Sequence, residues 1–302
     1  MGRINRRDFI AGSLAAAVAL NHSELLAAEA TDLVEVTGTD VAAMVAAALK
    51  ELGGIGKFVK KGDYVVLKPN AGFANPAEWG TTTHPDVVVA VARLCLEAKA
   101  KQVLVVEFPS AKGDKCLERC GLTAALASVP QVKVKVLSSP EDFQKVEIPK
   151  GVSLKSAEVA KALLSADVFI NLAQAKAHNA TGVSFGLKNH MGLIWDRNAF
   201  HTLLDLNQAV ADLGTVVKPH LTFIDATRAL LTNGPAGPGE TATPGKIVAG
   251  RSIASVDAYG LTLARFNQKQ MTLADAPHIA LAGQAGLGET DLGKLKIKKV
   301  NA

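Results

Sequence analysis

Three short runs, Val65-Val66-Leu67, Val103 to Val106 and, but for Thr222, Leu221 to Ile224, are continuously apolar instead of apolar at every second position. A strand with one wet face alternates, so a strand apolar on both sides has to be covered on both, as in parallel sheets sandwiched between helices. Before and between these runs lie segments with helical periodicity, among them "DVAAMVAAALKELGG", "HPDVVVAVARLCLEAKA" and "KSAEVAKALLSA". Further strand-like pieces, "LVEVTG", "VKVKVL", "DVFINLAQAKAH" and "KIVAG", continue the alternation from about residue 33 onward. The pattern predicts an α/β fold: a mostly parallel, Rossmann-like sheet covered by helices on both faces. With 48% apolar residues, a chain of about 270 residues can bury a large core as one domain or two intimately joined lobes. A sub-lobe boundary is expected near 138–154.

The first 30 residues are expected to be removed. Arg6-Arg7 followed by Phe9, a short apolar run from Ala11 to Leu20 and the small-residue end Leu26-Ala27-Ala28-Glu29-Ala30 form the pattern of a twin-arginine-type signal peptide. The apolar run is too short to span a bilayer, and no cysteine precedes Cys95 to carry a lipid. The expected mature protein is therefore residues 31–302, a single domain, periplasmic or secreted, with no stable membrane anchor after cleavage. Resemblance to the twin-arginine type also implies export in the folded state, often with a cofactor already inserted.

Charge and motif content narrow the partners. The net charge of +5 is spread along the chain, aromatic residues make up only 5%, and no basic run occurs, which argues against nucleic acid. Three cysteines cannot ligate an ordinary iron-sulphur cluster. No Gly-x-Gly-x-x-Gly follows a strand, and neither a phosphate-binding Gly-x4-Gly-Lys loop nor a Gly-x-Ser-x-Gly elbow is present. No cluster or nucleotide cofactor is written in the chain.

In open α/β sheets, ligands bind beyond the carboxyl ends of the strands. The polar residues placed there are Lys68 and Asn70, Glu107, Asn171 followed by Lys176 and His178, and Asp225 with Thr227. The densest stretch is "KAHNATGVSFGLKNHMG", residues 176–192. A helix starting near Thr181 or Gly182 would offer free backbone N–H groups to an anion, with Gly182 allowing close approach. Thr181, Ser184 and Lys188 would share one polar stripe. Lys188 and His190 before Gly192 also fit an ordinary basic helix end with a glycine cap. A transition metal on His178, His190 and His201, with Asp225, is a further reading, although spacings of 12 and 11 match no compact ligand motif.

The order of these pieces, "GDYVVLKPN", "TTTHPDVVVAVARLCLEAKAKQVLVVE", "ADVFINLAQAKAHNATGVSFGLKNHMG", "LTFIDAT", "NGPAGPG" and "IVAGRSIASVDAYG", resembles the prokaryotic family catalogued as domain of unknown function 362. The resemblance covers roughly residues 62 to 290. Many members carry an appended ferredoxin-like iron-sulphur module, absent from this sequence, and Arg251-Ser252-Ile253 departs from an Asp-Pro pair often found there. The family pattern singles out Lys68, Asn70, Lys176, His178, Gly182, Lys188, Asn189, Gly192, Asp225, Gly234, Pro235 and Asp257.

The function expected from all this is binding of a small anionic molecule, a carboxylate or phosphate. Lys68, Lys176 and Lys188 are the charge partners, and Asn70, Gly182 and Asn189 complete the ligand-binding set. Should chemistry follow, His178 is the acid/base, kept neutral by a neighbouring lysine, Asp225 orients it or a lysine, and proton transfer next to a carboxylate is the reaction class. Two rivals are a metal-binding or iron-sulphur-associated redox accessory protein docking on a redox partner, and a non-catalytic solute-binding protein.

Overall fold

The computed structural model describes residues 31–110 and 113–302, so the expected signal peptide lies outside the described residues. In chain order the elements are β1 (Leu33–Thr37), α1 (Val41–Glu51), β2 (Tyr64–Pro69), α2 (Pro85–Glu97), β3 (Gln102–Glu107), α3 (Gly113–Arg119), α4 (Leu122–Leu126) and β4 (Val132–Val136). They continue with β5 (Phe143–Glu147), β6 (Ser156–Ala160), α5 (Lys161–Leu164), β7 (Val168–His178), β8 (Gly182–Ser184), α6 (Gly186–Asn189), α7 (Arg197–Thr202) and α8 (Leu206–Gly214). The last are β9 (Leu221–Leu230), β10 (Thr241–Ala242), β11 (Lys246–Gly250), α9 (Ile253–Gly260), α10 (Pro277–Gln284) and β12 (Ile297–Asn301).

The main sheet runs β12-β1-β11-β9-β7-β2-β3-β4, with β8 and β10 attached to β7 and β9. From β9 to β4 all neighbours are parallel. β11 is antiparallel to both β9 and β1, and β12 is parallel to β1. The continuously apolar runs are buried on both sides as expected. Val65, Leu67, Val103 and Val105 enter one core with α1, α2 and residues of α3 and α4. Val66, Leu104, Val106 and Phe169 enter the opposite core with α8, α9 and α10.

Local chemistry starts the helices where the sequence marks them. Asp40 accepts the Ala43 N–H at 3.0 Å ahead of α1, and His84 accepts the Asp86 N–H at 3.2 Å with Pro85 opening α2. One segment differs. Residues 156–160, with their helical composition, form β6, because pairing with β5 in a separate two-stranded antiparallel sheet outweighs a weak propensity. Residues 138–154 lead through β5, and Phe143, Ile148 and Leu154 join the second core.

Sheet order decides where a ligand can sit. β2, β3 and β4 step outward in one direction while β7 and β9 step in the other, so the order reverses between β2 and β7. The loops leaving these two strands diverge and open a crevice at their carboxyl ends. Lys68 is on β2 and Lys176 on β7.

Candidate functional site

β7 is long because it serves two pairings. Through Gln174 it lies between β2 and β9; after an irregularity between Gln174 and Lys176 it continues as a hairpin with β8, pairing Lys176 with Ser184 and His178 with Gly182. Side chains alternate along a strand. Ala175 and Ala177 therefore join the hydrophobic core, while Lys176 and His178 share the other side and line one cleft. The Lys-x-His spacing is a strand signal, not a helix signal.

The cleft has a volume of about 140 Å³. Its charged side chains are Lys68, Lys176, Lys188, Arg197 and one carboxylate, Glu107. Glu107 is already saturated: Oε2 accepts Lys68 Nζ at 2.9 Å and the Ala71 N–H at 2.7 Å, and Oε1 accepts the Phe108 N–H at 2.9 Å. Gly192 permits this ion pair, since a Cβ there would lie 2.2 Å from Glu107 Oε1 and 2.6 Å from Lys68 Cε. Arg197 is spread over the Phe108 ring, 4.1 Å from its centroid, and donates to the carbonyls of Phe108 and Pro109, both at 2.9 Å.

Two lysines remain. Lys176 Nζ donates to Thr81 O at 2.6 Å and Asn70 Oδ1 at 3.1 Å, and lies 4.7 Å from the Phe73 ring centroid. Lys188, 7% exposed, makes no hydrogen bond or ion pair with any described residue. Burial first, then the charges of Lys68 and Lys188, lower Lys176 to a pKa of about 7, although Glu107 opposes the shift. Burial and Arg197 lower Lys188 to about 8. Burial, then Lys188 and Lys176, drive His178 to about 2, so its ring is neutral. His178 Nδ1 accepts the Ala180 N–H at 3.1 Å, which places the ring proton on Nε2.

A chain of amides orients the site. Asn171 Nδ2 donates to Gly186 O at 2.9 Å, Asn189 Nδ2 to Asn171 Oδ1 at 2.8 Å, and Asn70 Nδ2 to Asn189 Oδ1 at 3.1 Å. Each donor direction is set by the acceptor before it, so Asn70 must turn its oxygen toward Lys176. Asp257 anchors the same region: its two carboxylate oxygens accept the Gly186 and Leu187 N–H groups, each at 2.8 Å, holding the start of the turn that carries Lys188 and Asn189.

The family model for the domain of unknown function DUF362 matches residues 65–262. The chain belongs to this family. The match runs from β2 through the helix after β11, and so takes in every strand end that forms the cleft. A cyanobacterial relative, the thylakoid-associated protein sll1697 of Synechocystis sp., is 29% identical over 255 residues, covering 80% of this chain and 74% of that protein. The lactate racemase apoprotein of Thermoanaerobacterium thermosaccharolyticum superposes with a TM-score of 0.46 at 12% identity, covering 65% of this chain and 51% of that one. The chain thus spans about half the length of that solved structure.

Of the residues singled out by family pattern and strand position, Lys68, Asn70, Lys176, His178, Lys188, Asn189, Gly192 and Pro235 line the cleft. Gly182 does not. The helix expected near Thr181 starts instead at Gly186, and Gly182 opens β8 at φ +74°, where a Cβ would lie 2.3 Å from Asp275 O. Its glycine serves a tight hairpin against a neighbouring carbonyl, not anion approach. Gly182→Ala should cost at least about 1–2 kcal/mol, read as a lower denaturation midpoint, from the left-handed backbone alone.

Asp225 is also elsewhere. It accepts the His84 N–H at 2.7 Å and both the N–H and hydroxyl of Thr227, at 2.9 and 2.7 Å, so it fastens the start of α2 and orients no cleft histidine or lysine. The metal set does not assemble either. His178 and His201 line the cleft, but His190 is fully buried against Phe169, 5.8 Å between ring centroids. Among the described residues no group of three His, Cys, Asp or Glu is placed to hold a metal ion. Cys116 and Cys120 are buried and not joined by a disulfide. Arg197, Phe73 and Phe108 had no motif to mark them; they reach the cleft only because α7 and the loops after β2 and β3 fold over it. No helix among the described residues is long and apolar enough to cross a membrane.

Proposed function

We propose that this is an exported binding protein or enzyme whose cleft takes a small carboxylate or phosphate. The observation that carries the reading is Lys188, a buried cation in a lined cleft with neither hydrogen bond nor ion pair to any described residue. A buried charge is tolerated when it is paired, and the one carboxylate among the described residues of this cleft is taken by Lys68. An anion between Lys188 and Lys176 supplies the missing partner, and Arg197 adds positive potential from the rim. A cavity of about 150 Å³ holds a molecule the size of benzene, so the ligand that fits inside has few non-hydrogen atoms.

Proton transfer at the bound ligand is better served by Lys176 than by His178. An acid/base acts best with a pKa near the working pH. Lys176, at about 7, has one. His178 is a neutral hydrogen-bond donor at Nε2, suited to a ligand oxygen.

Protons should follow the ligand. A bound anion raises the pKa of Lys176 and Lys188 from about 7 and about 8 toward the ordinary 10.5. Below pH ~7 both are charged before binding and affinity is at its plateau. Above it each binding event takes up protons, so affinity falls by up to about tenfold per pH unit for each lysine involved. Calorimetric titration with inorganic phosphate, acetate and pyruvate between about pH 6 and 10, in buffers of differing ionisation enthalpy, reads both affinity and proton uptake. Binding that is flat across this range, or no binding by any of the three, would refute the reading.

A further inference from the structure

Resting on the anion-binding reading, we propose that the ligand is a small 2-oxo carboxylic acid, that Lys176 forms a Schiff base with its carbonyl carbon, and that Lys188 holds its carboxylate. The two lysines are not equivalent. Lys176 Nζ faces two fixed acceptors, Thr81 O at 2.6 Å and the oriented Asn70 Oδ1 at 3.1 Å. A neutral amine has two N–H donors and one lone pair, so these acceptors hold both hydrogens and leave the lone pair for an electrophile. Among the described residues no acidic side chain of the cleft is free to hold Lys176 as an ammonium ion, because Glu107 is occupied by Lys68 and two backbone N–H groups. Lys188, with no partner among the described residues, is the cation left for a carboxylate. A lysine desolvated beside other cations is the environment in which an amine becomes a nucleophile near neutral pH. The lowered pKa of Lys176 agrees with this.

The step balances without oxidant or reductant. The Nζ lone pair attacks the carbonyl carbon and the C=O π pair moves to oxygen. The two amine hydrogens then leave with that oxygen as water while C=N forms, and one proton from solvent charges the imine. The His178 ring, with its proton on Nε2, is the donor available to the departing oxygen. The cleft, about 140 Å³, suits pyruvate, which is about the size of benzene.

The full-length protein is incubated with pyruvate and sodium cyanoborohydride, which reduces an imine to a stable secondary amine, and labelled lysines are located by peptide mass mapping. The expected result is one adduct per chain, at Lys176, forming at least about tenfold faster than at the exposed Lys50. Excess phosphate should suppress it. Lys188→Met should lower labelling at limiting pyruvate but not with acetaldehyde, which has no carboxylate. Lys176→Arg should abolish the adduct while pyruvate still raises the melting temperature. Should that variant fail to fold, the wild-type mapping and phosphate competition decide alone. A melting-temperature rise with pyruvate but no preferential Lys176 adduct overturns the Schiff base and leaves anion binding standing. A shift with phosphate and none with pyruvate overturns the 2-oxo acid. An adduct at Lys188 reverses the assignment, and no shift and no adduct with either probe removes the anion reading itself.

Discussion

Lys188→Met should melt higher than the parent protein in the absence of ligand and bind carboxylate or phosphate about ten- to a hundredfold more weakly. Both effects come from one unpaired cation. The side chain is 7% exposed and without hydrogen bond or ion pair to any described residue, so burial disfavours its charge and no described partner offsets the loss. Methionine fills a similar volume without charge, which relieves about 1–3 kcal/mol. At ~2–4 °C per kcal/mol for a domain of this size, that is several degrees by calorimetry. The gain should depend on pH in a defined direction. Lys188 titrates at about 8 when folded and near 10.5 ordinarily, so between these values the unfolded chain binds more protons. Stability of the parent therefore rises with pH through this window, and the advantage of methionine is largest below pH ~8 and shrinks above it. A lysine that merely decorated a helix end would behave oppositely, its removal costing ~0.3–1 kcal/mol. A variant that melts lower, or binds anions as well as the parent, would end the case for Lys188 as the ligand's partner.

Glu107→Leu should be the most damaging single change at the site, lowering stability by about 3–5 kcal/mol and the melting temperature by roughly 10 °C. Glu107 neutralises Lys68 at 2.9 Å and accepts two backbone N–H groups that bend the chain after β2 and β3. Without it, Lys68 is a buried cation beside Lys176 and the Ala71 N–H loses its acceptor, while the Phe108 N–H keeps the Gly192 carbonyl at 3.0 Å. The double variant Glu107→Leu, Lys68→Met should recover a good part of the loss, because it removes the stranded charge while leaving the Ala71 N–H unsatisfied. Thermal or urea unfolding of the single and double variants checks the coupling. Strictly additive losses would mean that the pair does not act as a unit.

The fold was legible because its signal is a property of consecutive residues. Runs such as Val103 to Val106 state by composition that both faces are covered, and the helical stretch Pro85–Glu97 bears its own start signals in His84 and Pro85. Lys68, Asn70, Glu107, Lys176 and His178 were legible for a related reason, since each follows an apolar run and strand ends converge. What failed were the readings that needed a periodicity over a few residues. Thr181 to Ser184 counts as well on a helix as on a hairpin, and only the antiparallel register of Lys176 with Ser184 decides between them. Asp225 has the same sequence credentials as Lys176, yet its carboxylate is taken by His84 and Thr227.

His178, His190 and His201 show the remaining limit, for residue type gives no distance. His190 and Lys188 are two residues apart in the same short segment, and one packs on Phe169 while the other lines the cleft. The chain by itself determined the layers, the parallel strands and the class of side chain at each strand end, because hydrophobic burial acts on local patterns. Only the tertiary structure decided which charges are already spent, since pairing of Glu107 with Lys68 rather than with Lys176 or Lys188 depends on contacts between residues far apart in sequence. That distribution leaves Lys188 without a partner among the described residues, and electrostatic energy in a buried cleft is set by distance and desolvation, which no linear spacing records.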